Sequence, residues 1–306
     1  MFSFKKKKSA VGIDIGSRVT KVAQLSFSST GHPAIERCDI IQTGLLDEGF
    51  EGNLKAYIKE NKMTGAPAAS SLEDGSMKIR KMELPKMPDL ELIEAIKWNL
   101  RDIVDGNIDD FAVNFSRIKE DASTDEPKII LTAYAVKKEA VREYQNKIES
   151  IGLQAFFIEP SAVTLASTLE RCHGEDDSYI AGVDVGYKHA LFFIVGKGVF
   201  VFSRPLIGIN LEAQEKERDN CNQKLAIEIQ KSIDTFKVNF KMADVKKIFL
   251  SGGGALLPGI TDYLKTNLGV ETNHLNPFVN LSNVEPYKEM PYSLCAEAIG
   301  LAYIQP

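Results

Sequence analysis

The chain has 306 residues, 44% of them apolar and 26% charged, which suits a soluble globular protein of two lobes and excludes collagen-like, low-complexity and disordered classes. A formal net charge of -5 excludes the broadly basic face that neutralising nucleic-acid phosphates requires, so no nucleic-acid partner is expected.

Cys38, Cys172, Cys221 and Cys295 are scattered without CxxC pairing, and the four histidines show no metal-ligand spacing, which predicts a reducing compartment and no structural metal. The start, Met1-Phe2-Ser3-Phe4 and Lys5 to Lys8, has the charge of a signal-peptide n-region. Asp14 falls where the apolar core of such a peptide would run, so a cytoplasmic location is expected. This basic start reads two ways: as a solvated tail, or as a weak peripheral contact with anionic lipid worth about 1 kcal/mol per lysine.

Along the chain, Val11-Gly12-Ile13-Asp14-Ile15-Gly16-Ser17 predicts a buried strand, a tight turn and a second strand. Lys78 to Leu84 is expected to be extended. Asp89 is placed as the cap of a helix to about Val104 with Leu92, Ile96 and Leu100 on its apolar face. Strands at 111–118 and 128–136 follow, joined by the polar 119–128 loop, and then a helix from Lys137 that Gly152 ends.

The opening pattern returns as Ala181-Gly182-Val183-Asp184-Val185-Gly186-Tyr187, which predicts two similar lobes whose hairpins face each other across a cleft. The apolar stretch from Ala190 to Ile209 is broken by Gly196-Lys197-Gly198 and Arg204-Pro205, so it reads as two strands and not a membrane span. Residues 211–240 predict a charged, then amphipathic helix with Leu225, Ile229, Ile233, Phe236 and Phe240 on one face. Lys246 to Leu250 reads as a strand running into Ser251-Gly252-Gly253-Gly254-Ala255, a turn suited to close approach of a nucleotide. A last helix at about Ser293–Tyr303 carries Ala296, Ala298, Gly300 and Ala302, small enough for tight packing.

Asp14 and Asp184, one per lobe at strand ends, suit a magnesium–phosphate site, because a hard cation that keeps its waters needs few carboxylates. Each alone reads equally as a turn aspartate bonded to its own backbone. Their duplication, with the glycine turn downstream, favours the site.

Asp14-Ile15-Gly16-Ser17 with Lys21 resembles the first phosphate motif of the actin, Hsp70 and sugar-kinase superfamily, Asp184-Val185-Gly186 its second, and Ser251 to Ala255 its adenosine motif. Glu159-Pro160-Ser161-Ala162 and Ala296 to Ala302 resemble its two connecting motifs. Within that superfamily, the lysine-rich start, the segment Lys81 to Trp98 and Leu-Ser-Gly-Gly-Gly-Ala-Leu-Leu-Pro-Gly resemble the PilM family of type IV pilus machines, which is FtsA-like.

The resemblance implies an α/β, actin-like fold of duplicated ribonuclease H-like lobes with an inserted FtsA-type 1C subdomain. The expected division is 1–84 as the first part of 1A, 85–152 as 1C and 153–176 as the return of 1A. In the second lobe, 177–210 is the first part of 2A, 211–242 is 2B and 243–289 the return of 2A, with 290–306 a closing helix on 1A.

The resemblance also implies ATP and magnesium as cofactors. Asp14 and Asp184 would hold the metal shell, Gly16, Ser17, Lys21 and Gly186 the phosphates, and Gly252, Gly253 and Gly254 the adenosine. Glu159 would orient an attacking or metal-bound water as the catalytic residue; equally, it reads as a carboxylate at a helix N-terminus. Tyr187-Lys188-His189 departs from the small residues usual in the second phosphate loop, and Ile209-Asn210 from the usual Gly-Gly, so ATP binding with at most slow hydrolysis is expected.

The implied partners are the cytoplasmic N-terminal tail of an inner-membrane PilN-like protein, bound between 1A and 1C, and a pilus motor ATPase. Two rivals stand beside this reading: a nucleotide-free pseudo-actin scaffold of a secretion or pilus machine, and a small-molecule kinase of the same superfamily, for which no catalytic base is visible.

Overall fold

A computed structural model describes residues 7–121, 127–174, 178–196, 198–209, 211, 218–240 and 244–306. The basic start at residues 1–6, Lys197, Asn210 and residues 122–126 of the 119–128 loop lie outside the described residues.

The first lobe is built on a mixed sheet. A two-residue strand β1 (Lys7–Lys8) precedes β2 (Val11–Ile15), β3 (Thr20–Phe27) and β4 (Pro33–Ile41), which run as an antiparallel meander. Helix α1 (Phe50–Glu60) then crosses over, burying Phe50, Leu54 and Ile58 at helical spacing, and returns the chain to β5 (Pro67–Leu72), parallel to β2.

An inserted three-stranded antiparallel sheet follows. It consists of β6 (Lys78–Pro85), β7 (Phe111–Asp121) and β8 (Lys128–Lys137), with β8 in the centre, and helix α2 (Asp89–Leu100) covers one face. Asp89 is the first residue of α2 and not its cap, which is Pro88; the Asp89 carboxylate instead accepts from Arg117 on β7. The helix stops at Leu100, four residues earlier than its pattern predicts, although Val104 is still buried.

Helix α3 (Lys138–Ser150) leads to β9 (Gln154–Pro160), which pairs parallel to β5. Gly152, at φ +95°, makes the turn between them. The inserted unit is thus 78–137 and not 85–152. Strand β6 hydrogen-bonds along its whole length to β8, while α3 buries Tyr144 and Ile148 in the core of the first lobe.

Helix α4 (Ser161–His173) passes to the second lobe, whose strands are β10 (Tyr179–Val185), β11 (Ala190–Gly196) and β12 (Val199–Pro205). Helix α5 (Arg218–Asn239), strand β13 (Val245–Ser251), helix α6 (Ile260–Leu268) and strand β14 (Glu271–His274) complete it. Its sheet order, β12-β11-β10-β13-β14, repeats the β4-β3-β2-β5-β9 order of the first lobe, with the same antiparallel and parallel pairs. The repeated sequence is therefore a repeated topology. Residues 211–242 do not form a subdomain of their own among the described residues: α5 is the counterpart of α1 and buries Leu225, Ile229, Ile233 and Phe236 in the second-lobe core.

The last helix, α7 (Ala296–Leu301), returns to the first lobe and packs against β2, β3, β5 and α4. A Cβ on Gly12 would collide with the backbone of Ala298 and Ala302, and one on Gly300 with Thr168, so the small residues of this helix are fixed by close approach. Helices α4 and α7 thereby form the seam between the sheets, and α4 is buried on nearly all sides.

Candidate functional site

The two Asp-x-Gly turns have the same construction. Gly16 N–H donates to the Val19 carbonyl at 3.1 Å and Gly186 N–H to the His189 carbonyl at 2.8 Å. Each turn is also braced from outside: the Gly16 carbonyl accepts from Leu45 N–H at 3.0 Å and that of Gly186 from Leu211 N–H at 3.1 Å. The turns face each other across a cleft of about 560 Å³ lined by residues of both lobes, α3 and α7. That volume lies within the usual range of small-molecule sites.

Of the sequence-predicted residues, Asp14, Gly16, Ser17, Lys21, Asp184, Gly186, Gly252 and Gly253 all line this cleft. Asp14 and Lys21 are cross-strand neighbours on β2 and β3, and the Lys21 ammonium donates to Asp14 Oδ2 at 2.9 Å. Burial would lower the Lys21 pKa, but the charges of Asp14, Asp184 and Glu297 outweigh it and hold the ammonium above its ordinary value. Asp184 accepts from the Ser251 hydroxyl at 2.7 Å, and burial raises its carboxyl above the usual carboxylate range. Gly252 sits at φ +75°, where a Cβ would meet the Val185 carbonyl at 2.6 Å. Leu211, Leu256 and Leu294 lie beside it and give this end of the cleft apolar walls.

Two of the sequence-predicted residues lie elsewhere. Gly254 is buried under the Val185 side chain and does not line the cleft, because the backbone turns inward after Gly253. Glu159 does not line it either: its position on β9 directs it into a second cavity, of about 310 Å³, shared with Leu72, Met77, Asn114, Tyr134 and Val136. There it accepts from the Thr164 hydroxyl at 2.7 Å, and burial raises its pKa. Its charge helps to push the neighbouring Tyr134 hydroxyl up to about 12, after the larger effect of burial.

The cleft holds acids that motif reading missed. Glu73, just past the carboxyl end of β5, has its pKa pushed up to about 7 by burial and by the charges of Asp184 and Asp14. Glu297, on α7, is pushed up to about 8 by burial and by Asp14 and Asp184, against the opposing effect of hydrogen bonds from Ser71 and Ser161. The signals were present: Glu73 ends a parallel strand, where α/β sheets bind ligands, and Glu297 is a lone charge in a run of small apolar residues.

These residues fit a magnesium nucleotide. The buried ammonium of Lys21 beside the two turns has the charge that phosphates would need, the Gly252-Gly253 turn and its leucines suit a planar base, and Asp14 and Asp184 suit a divalent cation. Among the described residues no group of three or more acids, cysteines or histidines is arranged to ligate an ion directly, so a cation here would be held through its own waters. No helix of the described residues is long and apolar enough to cross a membrane.

The family model of the type IV pilus assembly protein PilM matches residues 220–303. No curated protein matches the chain in sequence. Among solved structures, a chain of the PilM-PilN type IV pilus biogenesis complex is similar at 21% identity with a TM-score of 0.78, covering 97% of this chain and 99% of that one. More distant are the ethanolamine utilization protein EutJ from Carboxydothermus hydrogenoformans (13% identity, TM-score 0.49, 97% and 89% covered) and a Bacteroides thetaiotaomicron protein with an actin-like ATPase fold (10%, 0.48, 93% and 96%). The fold is thus the α/β fold of that pilus-complex chain, and the chain resembles the PilM family both in the family model that matches its C-terminal region and in a fold shared over nearly its whole length.

Proposed function

We propose that the protein is a cytoplasmic, ATP-binding scaffold of type IV pilus assembly that takes the cytoplasmic tail of an inner-membrane PilN-like partner in a nucleotide-sensitive way. The inserted sheet then plays the part of the FtsA-type 1C subdomain. The tail lies in the cavity between that sheet and the first lobe, where apolar walls surround Glu159 and Tyr134. Association with the inner membrane follows from the partner.

One observation carries the nucleotide-sensitive part: the inserted sheet is packed on the second lobe, although its chain connections belong to the first. The Thr132 hydroxyl donates to the Val201 carbonyl on edge strand β12 at 3.2 Å, in a buried position. The Lys81 ammonium donates to the Asn239 carbonyl at the end of α5 at 3.2 Å and lies 3.8 Å over the Phe240 ring. Ile118 packs against the second-lobe core, and Ile79 and Tyr134 against the seam formed with α4. A shift of one lobe against the other therefore carries the sheet with the second lobe and changes the cavity that it shares with the first.

In this reading Asp14 and Asp184 hold the metal shell, and Lys21 exchanges its partner Asp14 for phosphate oxygens. Gly252 and Gly253 let the base approach, and Tyr187 narrows the phosphate end, which favours binding over turnover. The bound metal supplies charge neutralisation of the phosphates. Calorimetric titration with Mg-ATP, followed by phosphate release, tests this. Binding abolished by Asp14→Ala and by Asp184→Ala, with little phosphate released, supports it. No binding by the wild type leaves the nucleotide-free scaffold, which the closure of the cleft mouth by Tyr187 would then explain.

A further inference from the structure

We propose that Glu297 is a third carboxylate of the cation site, facing the water shell of a divalent ion held between Asp14 and Asp184. This rests on the reading of the cleft as a magnesium-nucleotide site. Three independent features lead to it. First, Glu297 Oε1 is fully buried and has no hydrogen-bond partner among the described residues, even though Ser71 and Ser161 serve the same carboxyl. A buried acceptor left unmade costs stability, and a native fold keeps one where a ligand completes it.

Second, the carboxylate is delivered rigidly. Glu297 belongs to α7, whose backbone is pressed against Gly12 on β2 so closely that a single Cβ there could not be accommodated. Ala296, Ala298 and Ile299 on either side of it are buried. The side chain lines the cleft and is close enough to Asp14 and Asp184 that both charges act on it.

Third, the cleft concentrates acids around one cation. Asp14, Asp184 and Glu297 all act on the buried ammonium of Lys21, which is paired to Asp14, and Glu73 lines the same cleft. A nucleotide adds further negative charge, which a metal ion that enters with it would offset. Direct ligation by three acids is not set up among the described residues. Contact through retained waters, which magnesium keeps and calcium sheds more readily, is what this spacing allows.

The alternative is a protonated Glu297 that serves only to pack α7. Two isolated readouts separate the roles: manganese binding followed by the paramagnetic signal of the free ion, with ATP present, and thermal stability without metal. Glu297→Gln should weaken manganese binding by about tenfold or more, the usual cost of removing an outer ligand, while stability without metal stays the same or rises. Glu297→Asp, which keeps the charge but shortens its reach, should fall between. Manganese affinity within about twofold of wild type in both folded variants would overturn the proposal. Failure of the wild type to bind manganese with ATP would overturn it too, and would be recognised as failure of the nucleotide reading because the variants would then show no difference to explain.

Discussion

The guanidinium of Arg18, on the first hairpin turn, lies 3.9 Å from the ring centroid of Tyr187, on the second, and donates a hydrogen bond to its hydroxyl. The contact joins residues 169 positions apart and closes the mouth of the cleft between the lobes. A stacked cation at a partly exposed site is worth about 0.5–1 kcal/mol, enough to bias the lobes but not to hold the fold. Tyr187→Ala should therefore cost less than about 1 kcal/mol in stability yet release a fluorescent ATP analogue several-fold faster in stopped flow. An unchanged release rate would show that the stack does not gate the cleft.

Glu159 gives a second test, because its sequence role and its place differ. Glu159→Gln should leave ATP affinity and phosphate release unchanged, since the side chain opens into the other cavity. It should also raise the melting temperature slightly, because it removes a buried ionisable group whose pKa burial has raised. A large loss of ATPase activity would return it to the nucleotide site.

The seam helix makes a packing prediction. Gly12→Ala places a methyl group against the Ala298 and Ala302 backbone and should destabilise by about 1–3 kcal/mol in a denaturant melt. Gly52→Ala, in the exposed first turn of α1 with open space around it, should instead stabilise by up to about 1 kcal/mol.

The acid cluster predicts a pH dependence. Glu297 titrates near about 8 and Glu73 near about 7 in the folded protein, both raised from 4.5. The folded state therefore binds more protons than the unfolded one between 4.5 and those values, so stability falls as pH rises through this window. Melting temperature without metal should drop from pH about 5 to about 9. Glu297→Gln should flatten that slope, and an unaltered slope would remove Glu297 as its source.

The repeated turn was legible in the sequence because it is local. A strand, Asp-x-Gly and a second strand occupy contiguous residues, and the same seven positions recur, so Asp14, Lys21 and Asp184 could be placed from pattern and resemblance. Glu159 could not be placed. Motif order puts it beside the phosphates, whereas its side chain opens into the second cavity, which exists only where Asn114 and Tyr134 of the inserted sheet meet the first lobe. The edge of the insertion was hidden for a similar reason: β6 looks like a continuation of the first lobe until Lys78 is seen opposite Ala135, a pairing over more than fifty residues. Glu73 belongs to no motif read in the sequence, and Glu297 lies within the Ala296 to Ala302 motif without a role of its own there; only the folded chain brings both to Asp14 and Asp184.

Coupling of the cleft to the groove requires the inserted sheet to move with the second lobe, and distances between spin labels test this directly. All four native cysteines are buried, so labels at introduced cysteines are selective. Asn114 on the inserted sheet, Glu139 on α3 and Lys246 on β13 are exposed positions for them. With Mg-ATP, the 114–139 distance across the cavity should shift by roughly a few ångströms while the 114–246 distance stays fixed. A fixed 114–139 distance, with or without a change at 114–246, would contradict the coupling of cleft and groove.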